Sequence, residues 1–301
     1  MTEDKWTVEA SESGQRLQSY IQHKMDGRFS AKKIKSAIES NACRVNGVKE
    51  RFSSYRVRTG DRIIFSRHAL QVKCVKSEVF VKDRVLFEDD SILVYHKPYG
   101  VVSDHDGLFD ILRKKYPSLC MVHRLDKDTS GAIIYAKSSK AQKALIELFR
   151  EKKVRKEYLA IVSRIPKADC GIIDQPIGKI HEYQGQSLWG IVSLKKGGDS
   201  ARTEWKVLKK GAGASLISCA PITGRTHQIR VHLSSMGHPL IGDKQYGREV
   251  DEVYSASRHL LHAYKLTFPH PLAKSIVSVE CSPPEDFLAA MRKLFDSGEY
   301  V

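Results

Sequence analysis

A nine-residue polar stretch near the middle of the chain, residues 123–131, constrains the fold more than any other segment. Its sequence is HRLDKDTSG, and apolar runs at residues 119–122 and 132–135 flank it. Such runs predict buried structure, so charges, hydroxyls and a glycine between them require a local reason. The stretch is either a solvated turn, whose polar side chains bond their own backbone, or a functional site. The residue types alone leave both interpretations open.

Length and composition predict two domains in a globular chain. The 301 residues, with 41% hydrophobic and 28% charged residues, have an ordinary composition. The length exceeds the usual domain size of roughly 100–150 residues. No apolar run approaches the ~18–20 residues that a membrane span needs, and the start is acidic and polar, unlike a signal peptide. We therefore expect a cytoplasmic monomer that associates with no membrane.

The cysteine and histidine patterns do not suggest a metal site. The six cysteines lie at least 31 residues apart, so no C-x-x-C pair exists, and the twelve histidines form no His-Glu-x-x-His arrangement. The sequence also has no glycine loop of the nucleotide-binding type. We predict buried free thiols, no metal, and no nucleotide or other cofactor.

The net charge favours a polyanionic partner. The chain carries +15, from 50 Lys and Arg against 35 Asp and Glu. Residues 1–78 hold 16 of these basic residues and 9 of the acidic ones, so the first quarter of the chain contributes almost half of the excess. The N-terminal part is therefore predicted to bind a polyanion such as RNA.

Two helices and a hairpin are predicted in this N-terminal part. Residues 14–25 have helical apolar spacing, and Ser30 can cap a second helix. Asn46-Gly47 predicts a tight hairpin turn. Cations at the start of the second helix oppose its dipole, so they indicate either a solvated face or, as we favour, contacts with RNA phosphates. The candidate RNA-binding residues are Arg28, Lys32, Lys33, Lys35 and Arg44.

Residues 13–66 resemble the RNA-binding domain first described in ribosomal protein S-four, also called the alpha-L motif. The matching parts are residues 14–17, 30–38, 44–47 and 55–63. One departure is Gln18, where an Asp commonly follows the Arg-Leu pair. The resemblance implies a small α/β domain that binds RNA, and a linker at residues 67–80 would follow it.

The remainder, residues 81–300, is predicted to be one larger α+β domain. Strand-like runs are mixed with helices without a repeated βαβ order, which favours this class. Ser138 can cap one of the helices. Residues 178–200 are Gly-rich and polar, so we expect an exposed excursion there.

Three polar clusters stand out in the larger domain: residues 123–131, Lys156 with Tyr158, and residues 224–230. Together they resemble the RluA-type pseudouridine synthases, whose signature HRLDxxTSG is matched throughout. Further matching blocks are Lys97-Pro98, Gly242-Asp243, residues 224–232 and residues 261–263. The resemblance covers roughly residues 80–285. It implies a central mixed, largely antiparallel sheet flanked by helices, and an enzyme that converts uridine in RNA to pseudouridine without a cofactor.

The resemblance also implies catalytic roles for three residues. Asp126 would be the nucleophile, since an ordinary Asp has a pKa of ~3.9 and is ionised at neutral pH. Asp128 is the competing carboxylate, but its neighbours suit a turn. Arg225 is the position at which the family places the ion pair that keeps the aspartate charged. Tyr158 would lie against the target base and remove its proton or stack on it, and the alternative is a core tyrosine.

Other residues are candidates for substrate binding. Arg124 would fill the space left by a displaced base or contact a phosphate. Leu261 would line an apolar pocket or simply belong to the core. His123 and His227 would support the site through hydrogen bonds, and Lys156 belongs to the Lys-x-Tyr pair.

We therefore predict an RNA pseudouridine synthase that modifies large-subunit ribosomal RNA, as family members with this two-domain layout typically do. Transfer RNA is the alternative substrate, and a non-catalytic RNA-binding or ribosome-assembly factor is the alternative function. A scaffold has no evident need for Asp126, Tyr158 and Arg225 together, and all three are present.

Overall fold

The computed structural model describes residues 3–39, 42–50, 52–67, 70, 79–183, 186–247 and 253–295. The chain forms two compact units, Met1–Val75 and Lys76–Val301. Each unit has a hydrophobic core of its own. Most of the predicted linker, residues 71–78, lies outside the described residues.

The first unit packs two helices on a small antiparallel sheet. Its elements are β1 (Glu3–Thr7), α1 (Leu17–Lys24), α2 (Ala31–Glu39), β2 (Cys43–Val45), β3 (Val48–Lys49) and β4 (Arg62–Ser66). The strand order is β1-β4-β2-β3. The predicted hairpin is confirmed, because Asn46 and Gly47 have the positive φ angles, 52° and 83°, of a tight turn. Strand β1 lies before residue 13, the predicted start of this domain, and adds an edge to the sheet.

The core of this unit comes from the apolar stripes of both predicted helices. Its fully buried members include Leu17, Ile21, Ile34, Ile38, Ile63 and Phe65. The Ser30 side chain accepts a hydrogen bond from the N–H of Lys33 at 3.3 Å, which confirms the predicted cap of α2. Because the apolar stripe faces the sheet, Lys33 and Lys35 are exposed.

The second unit contains a large sheet and a separate two-stranded sheet. Its strands are β5 (Val85–Glu88), β6 (Ile92–Lys97), β7 (Cys120–Met121), β8 (Ser130–Ala136), β9 (Arg155–Ser163), β10 (Cys170–Asp174), β11 (Ile177–Tyr183), β12 (Gln186–Ile191), β13 (Arg202–Lys210), β14 (Ala214–Pro221), β15 (Leu261–Pro269) and β16 (Ile276–Glu280). Its helices are α3 (Leu108–Arg113), α4 (Ser139–Arg150), α5 (Gln228–Ser235) and α6 (Glu285–Phe295). The main sheet has the order β10-β13-β14-β9-β15-β8-β6-β5, with β16 beside β15 and β7 beside β8.

Strand β8 is an internal strand of this sheet, between β15 and β6, and is buried along its whole length. Ile134 packs in a cluster with Leu145 of α4, and Tyr135 packs on the opposite face with Leu112 of α3. Strand β8 runs parallel to β15, whereas its pairing with β6 is antiparallel. The predicted α+β class with a mixed, largely antiparallel sheet is thus confirmed. The polar stretch, residues 123–131, leads directly into this internal strand.

Two local predictions for this unit have clear outcomes. Ser138 caps α4, since its side chain accepts a hydrogen bond from the N–H of Ala141 at 3.2 Å. The exposed excursion predicted for residues 178–200 contains β11 and β12, which pair as a separate two-stranded sheet. Ile180 is exposed on this hairpin.

The five cysteines that the structure describes are free thiols, but not all of them are buried. The buried ones are Cys43, Cys219 and Cys281. Cys170 is exposed because β10 is the edge strand of the main sheet, so the prediction of a buried thiol is wrong there. Cys120 is half-buried, and Cys74 lies outside the described residues. Among the described residues, no group of three or more His, Cys, Asp or Glu could hold a metal ion. None of the described helices is long and apolar enough to span a bilayer.

Substitution of Gly131 by Ala should strongly destabilise the second unit. Gly131 has a φ of +123°, and a Cβ there would lie 2.3 Å from the carbonyl oxygen of Ala263 on β15. Because this neighbour is backbone, β8 and β15 would have to separate. We expect the free energy of unfolding to fall by about 3 kcal/mol or more. Urea titration followed by circular dichroism measures the loss.

Gly237→Ala is the matched control for this substitution. Gly237 also has a positive φ, +83°, but a Cβ there would meet no atom within 4 Å. This variant therefore reports the backbone strain alone, about 1–2 kcal/mol. An equal loss in the two variants would contradict the steric argument for Gly131.

Candidate active site

The turn that carries Asp126 is fixed through its backbone. The Ser103 hydroxyl donates to the carbonyl of Leu125 at 2.7 Å and accepts from the N–H of the same residue at 3.0 Å. The N–H of Thr129 donates to the carbonyl of Asp126 at 3.1 Å and closes the turn. The Leu125 side chain is buried in the cluster beside α3. Asp126 therefore projects from a fixed backbone.

Lys97, at the end of β6, supports this turn from inside the protein. Its side chain is fully buried, and its ammonium group donates to the carbonyls of Pro98, Val101 and Lys127 at 3.1, 2.8 and 3.0 Å. Burial lowers the pKa of Lys97 to about 7, and nearby carboxylates partly oppose this effect. The contact with the carbonyl of Lys127 ties the turn to the central sheet.

The end of the polar stretch is held by the segment that leads into β15. These contacts join Thr129 to His259, Ser130 to His262, and the carbonyl of Asp128 to Arg258, at 2.9, 2.9 and 3.0 Å. Arg258 is itself held by Asp286 of α6, at 2.7 Å. The two hydroxyls thus bond distant side chains and not their own backbone. The interpretation of residues 123–131 as a merely solvated turn is therefore wrong.

Asp126 is the carboxylate that this turn presents. Nη1 of Arg230 donates to Oδ2 of Asp126 at 3.3 Å, and Nε2 of His227 lies 3.8 Å from the same oxygen. Burial by itself raises the pKa of Asp126, but the charges of His227, which is protonated in the acid range where Asp126 titrates, and of Arg230 outweigh it, so the pKa of Asp126 lies below its ordinary value. The side chain is 28% exposed. Asp126 is thus ionised at neutral pH and accessible to a substrate.

The His227 imidazole is neutral at neutral pH. Burial, assisted by the charge of Arg230, lowers the pKa of His227 to about 4. Arg230 is therefore the cation that keeps Asp126 ionised. The backbone of His227 is left-handed, with φ 55° and ψ 21°, a conformation that costs a residue with a Cβ ~1–2 kcal/mol.

Arg230 is fixed in turn by a fully buried second carboxylate, Asp243. Its Nε and Nη2 donate to the two oxygens of Asp243 at 2.8 and 3.0 Å. The backbone N–H groups of Gln245 and Tyr246 also donate to Asp243, at 3.0 and 3.1 Å. Although burial opposes ionisation, Arg230 holds the pKa of Asp243 far below its usual range. The two-pronged contact fixes the plane of the guanidinium, so that Nη1 points at Asp126.

The predicted ion pair between Asp126 and Arg225 is wrong. Nε of Arg225 donates to the carbonyl of Ser200 at 3.0 Å, and its Nη1 lies 3.9 Å from Asp199. Arg225 precedes the turn at His227, whereas Arg230 lies within α5, whose first six residues are buried. The chain therefore changes direction between the two arginines, and Arg230 takes the position that the sequence analysis assigned to Arg225.

Tyr158 and Leu261 lie on the neighbouring strands β9 and β15. The Tyr158 ring packs against the cluster that contains Leu261 and Ile229. Burial, and then the charge of Asp126, raise the pKa of Tyr158 well above its ordinary value. The phenol is therefore protonated at neutral pH. Asp126 lies near enough for its charge to act on Tyr158, and Leu261 belongs to the apolar cluster against which the Tyr158 ring packs.

Lys156 lies two residues before Tyr158, so both side chains leave the same face of β9. Its Nζ donates to the carbonyl of Thr223 at 3.1 Å, and burial lowers its pKa to about 8. Nε2 of His123 accepts a hydrogen bond from the N–H of Ile134 at 3.1 Å. Burial, and then the charge of Lys156, lower the pKa of His123 to about 3. His123 is thus a neutral residue that joins the polar stretch to β8.

Arg124 does not point into the site. Its Nη1 forms an ion pair with Asp104 at 3.0 Å, and the side chain is 65% exposed. It lies two residues before Asp126 in the same polar stretch.

The predicted RNA-binding cations of the first unit are on its surface. Those that the structure describes are Arg28, Lys33, Lys35 and Arg44, and all are exposed. Lys33 lies over the ring of Phe29, with Nζ 5.2 Å from its centroid. The side chain of Lys32 lies outside the described residues.

Arg230, Asp243 and Tyr246 belong to the site but were not predicted as site residues. A signal for Arg230 was present in the sequence, since it lies between two aliphatic residues, Ile229 and Val231, in a predicted helix. A cation in such a position is buried and needs an anionic partner inside the protein. The predicted match at Gly242-Asp243 contains that partner.

This chain is similar to known pseudouridine synthases. A family model described as RNA pseudouridylate synthase matches residues 91–235. Ribosomal large subunit pseudouridine synthase C of Escherichia coli K12 is 33% identical over 309 residues, which cover 95% of each chain. Ribosomal large subunit pseudouridine synthase D of Nitrosomonas europaea is 37% identical over 231 residues, 70% of this chain and 65% of that relative. The chain thus spans slightly less than two thirds of the second relative.

Two solved human structures are also similar. "RNA Pseudouridylate Synthase Domain Containing 4" has a TM-score of 0.59 at 27% identity, with 70% of this chain and 94% of that chain covered. "RNA Pseudouridylate Synthase Domain Containing 1" has a TM-score of 0.56 at 30% identity, with 66% and 83% covered. As its sequence motifs predicted, the chain belongs to the RluA-type family of pseudouridine synthases and is an RNA pseudouridine synthase.

Proposed function

We propose that this enzyme isomerises uridines of large-subunit ribosomal RNA, with Asp126 as its nucleophile. The observation that carries the proposal is the contact at 3.3 Å between Arg230 and an ionised Asp126 that a substrate can reach. The substrate is supported by the relatives, which are named for the ribosomal large subunit. We further propose that the enzyme acts as a monomer in the cytoplasm.

The reaction requires bond exchange without oxidation or an external energy source. The bond between the sugar and nitrogen one of uracil breaks, the base rotates, and a bond forms between the sugar and carbon five. The proton lost from carbon five is balanced by the proton that nitrogen one gains. A carboxylate such as Asp126 can form and release a covalent bond during this exchange.

Tyr158 is proposed to stack on the target base. Its pKa is raised, so the phenolate is scarce at neutral pH and proton removal by Tyr158 is disfavoured. The ring lies in an apolar wall with Leu261, which suits the face of a base taken out of its stack.

Two basic residues are proposed to contact the RNA around the target base. Arg124 is exposed beside Asp126, and we propose that it leaves Asp104 to fill the vacancy of the displaced base. Lys156 is half-buried near Tyr158, and its Nζ donates to the carbonyl of Thr223. We propose that it contacts the target nucleotide.

The domain at residues 13–66 is proposed to bind RNA outside the catalytic site. It carries exposed cations on α2 and on β2, including Lys33 and Arg44. Contacts of this kind with phosphates are independent of sequence and weaken as salt is added.

Asp126→Asn should abolish the isomerisation. The variant keeps the size of the side chain but removes the anionic oxygen, so we expect turnover to fall at least about 10³-fold. Tritium release from a large-subunit ribosomal RNA transcript labelled at carbon five of uridine measures turnover. Wild-type release by the variant would refute the assignment of the nucleophile.

Asp128→Asn is the matched control, since it makes the same change two residues away and should retain release. A transfer RNA transcript labelled in the same way tests the substrate. Release from that transcript alone would contradict the proposal of ribosomal RNA.

Arg230→Lys should reduce turnover by about 10- to 100-fold. Lysine keeps the positive charge but cannot hold Asp243 with two donors while it reaches Asp126 with a third. Arg225→Lys makes the same exchange at the surface pair with Asp199, and we expect a change of at most about threefold there. A larger loss in the Arg225 variant would restore the original assignment. Tritium release and RNA affinity, measured for both variants, separate turnover from binding.

As the pH is lowered, turnover should begin to fall only below about pH 5. Asp126 must be ionised to act, and a group with a pKa below the ordinary ~3.9 loses its charge only as the pH falls past that value. The lowered pKa of Asp126 therefore predicts constant release between about pH 5 and 7. The check is tritium release across this range, with circular dichroism to confirm folding. A fall in turnover centred near pH 6 would mean that burial raises the pKa of Asp126 more than the charge of Arg230 lowers it.

A further inference from the structure

The two oxygens of the Asp126 carboxylate are in different surroundings. Nη1 of Arg230 and Nε2 of His227 both approach Oδ2, at 3.3 and 3.8 Å. Within the part of the chain that the structure describes, no residue donates a hydrogen bond to Oδ1 of Asp126. One oxygen is thus held by Arg230 and His227, whereas the other has no hydrogen-bond donor among the described residues, in a side chain that is 28% exposed.

The His227 side chain is placed by its own backbone and by Tyr246. The left-handed backbone, with φ 55° and ψ 21°, is uncommon for a residue with a Cβ, and α5 begins at the next residue. Nδ1 of His227 lies 2.8 Å from the hydroxyl oxygen of Tyr246. The N–H of Trp189 donates to this oxygen at 3.3 Å, so the hydroxyl proton is free to point at Nδ1.

This arrangement selects one tautomer of the neutral imidazole. When Nδ1 accepts a proton from Tyr246, the ring proton is on Nε2, and the Nε2–H group faces Oδ2 of Asp126. The other tautomer would place a nitrogen lone pair against the carboxylate. The 3.8 Å separation is longer than a hydrogen bond, but catalytic contacts are often long in the free enzyme and shorten when substrate binds.

We propose that His227 is a positioning residue for Asp126. Tyr246 fixes its tautomer, its Nε2–H and Arg230 together hold Oδ2, and Oδ1 is the oxygen that acts on the substrate. The inference rests on the proposed nucleophilic role of Asp126. It adds a second donor to the ion pair with Arg230 and a function for the strained backbone at His227.

Two substitutions at His227 test the donor. Gln carries an amide N–H group near the place of Nε2, has no tautomers, and bears the same left-handed strain as Ala. We expect His227→Ala to lower kcat about tenfold or more, with KM changed less than about twofold. His227→Gln should recover most of that loss. Tritium release from the labelled ribosomal RNA transcript, with kcat and KM measured separately, gives these values.

Tyr246→Phe tests whether the Tyr246 hydroxyl fixes the tautomer of His227. Phe keeps the ring over which Arg230 lies, at 4.9 Å from its centroid, but removes the hydroxyl. We expect kcat to fall about three- to tenfold in the wild-type background, and no further in His227→Gln, because Gln has no second ring nitrogen to fix. A merely structural role for the hydroxyl would give the same loss in both backgrounds, and that result would overturn the proposal.

Two controls separate the possible failures. His238→Gln changes a half-buried histidine in the turn after α5, whose Nδ1 lies 3.3 Å from the carbonyl of Ser163, and should leave kcat unchanged. Asp126→Asn is assayed in parallel. If Asp126→Asn is active, the proposed nucleophilic role of Asp126 is wrong. If Asp126→Asn is inactive but His227→Ala keeps the wild-type kcat, only the inference on His227 is overturned. Should His227→Ala fail to fold, the Tyr246→Phe comparison in the wild-type and His227→Gln backgrounds still decides the question.

Discussion

The guanidinium of Arg230 donates hydrogen bonds to two carboxylates, Asp243 and Asp126. The rest of the site depends on which N–H groups each carboxylate receives. Asp243 receives the two-pronged contact at 2.8 and 3.0 Å, whereas Asp126 receives one contact at 3.3 Å. Asp243 is fully buried and accepts two further backbone hydrogen bonds, which offset the cost of removing its charge from water. The group of three keeps a net charge of −1. Asp126 is therefore oriented without being neutralised, as a nucleophilic carboxylate requires.

The backbone around Asp126 is held through its carbonyl oxygens, so the turn does not depend on the Asp126 side chain for its conformation. Ser103 bonds the carbonyl of Leu125, and the N–H of Thr129 bonds that of Asp126. The next two carbonyls are bonded by Lys97 and Arg258. Backbone groups out of water need such partners. Because the partners come from β6 and from the segment before β15, the turn moves only if the central sheet moves.

Local and periodic features of the fold could be predicted from the sequence. Ser30 and Ser138 were predicted as helix caps, and Asn46-Gly47 as a hairpin, because each acts on its own near neighbours. Strand β1 could not be predicted in this way, since the short, charged segment at residues 3–7 becomes a strand by pairing with β4. Burial of individual cysteines also depends on strand order, as the edge position of Cys170 shows.

Which arginine reaches Asp126 also depends on the folded chain and could not be predicted from neighbouring residues. Residues 224–232 match as one block in sequence, but the chain enters α5 inside this block, and successive helical residues are rotated by 100°. The Gln228 side chain fixes where the helix begins. Its amide oxygen accepts hydrogen bonds from the Thr223 hydroxyl and from the N–H of Arg225, at 2.6 and 3.0 Å.

The amide nitrogen of Gln228 donates to the Thr203 hydroxyl and to the carbonyl of Arg202, at 2.9 and 3.0 Å. The hydrogen bonds of Gln228 fix the start of α5 on both sides. His227 and Arg230 are three residues apart, so they share a face of the helix. Arg225 lies before the change of direction and faces Asp199. A helix that began one residue later would turn Arg230 away from both carboxylates, so the register set by Gln228 decides which cation keeps Asp126 charged.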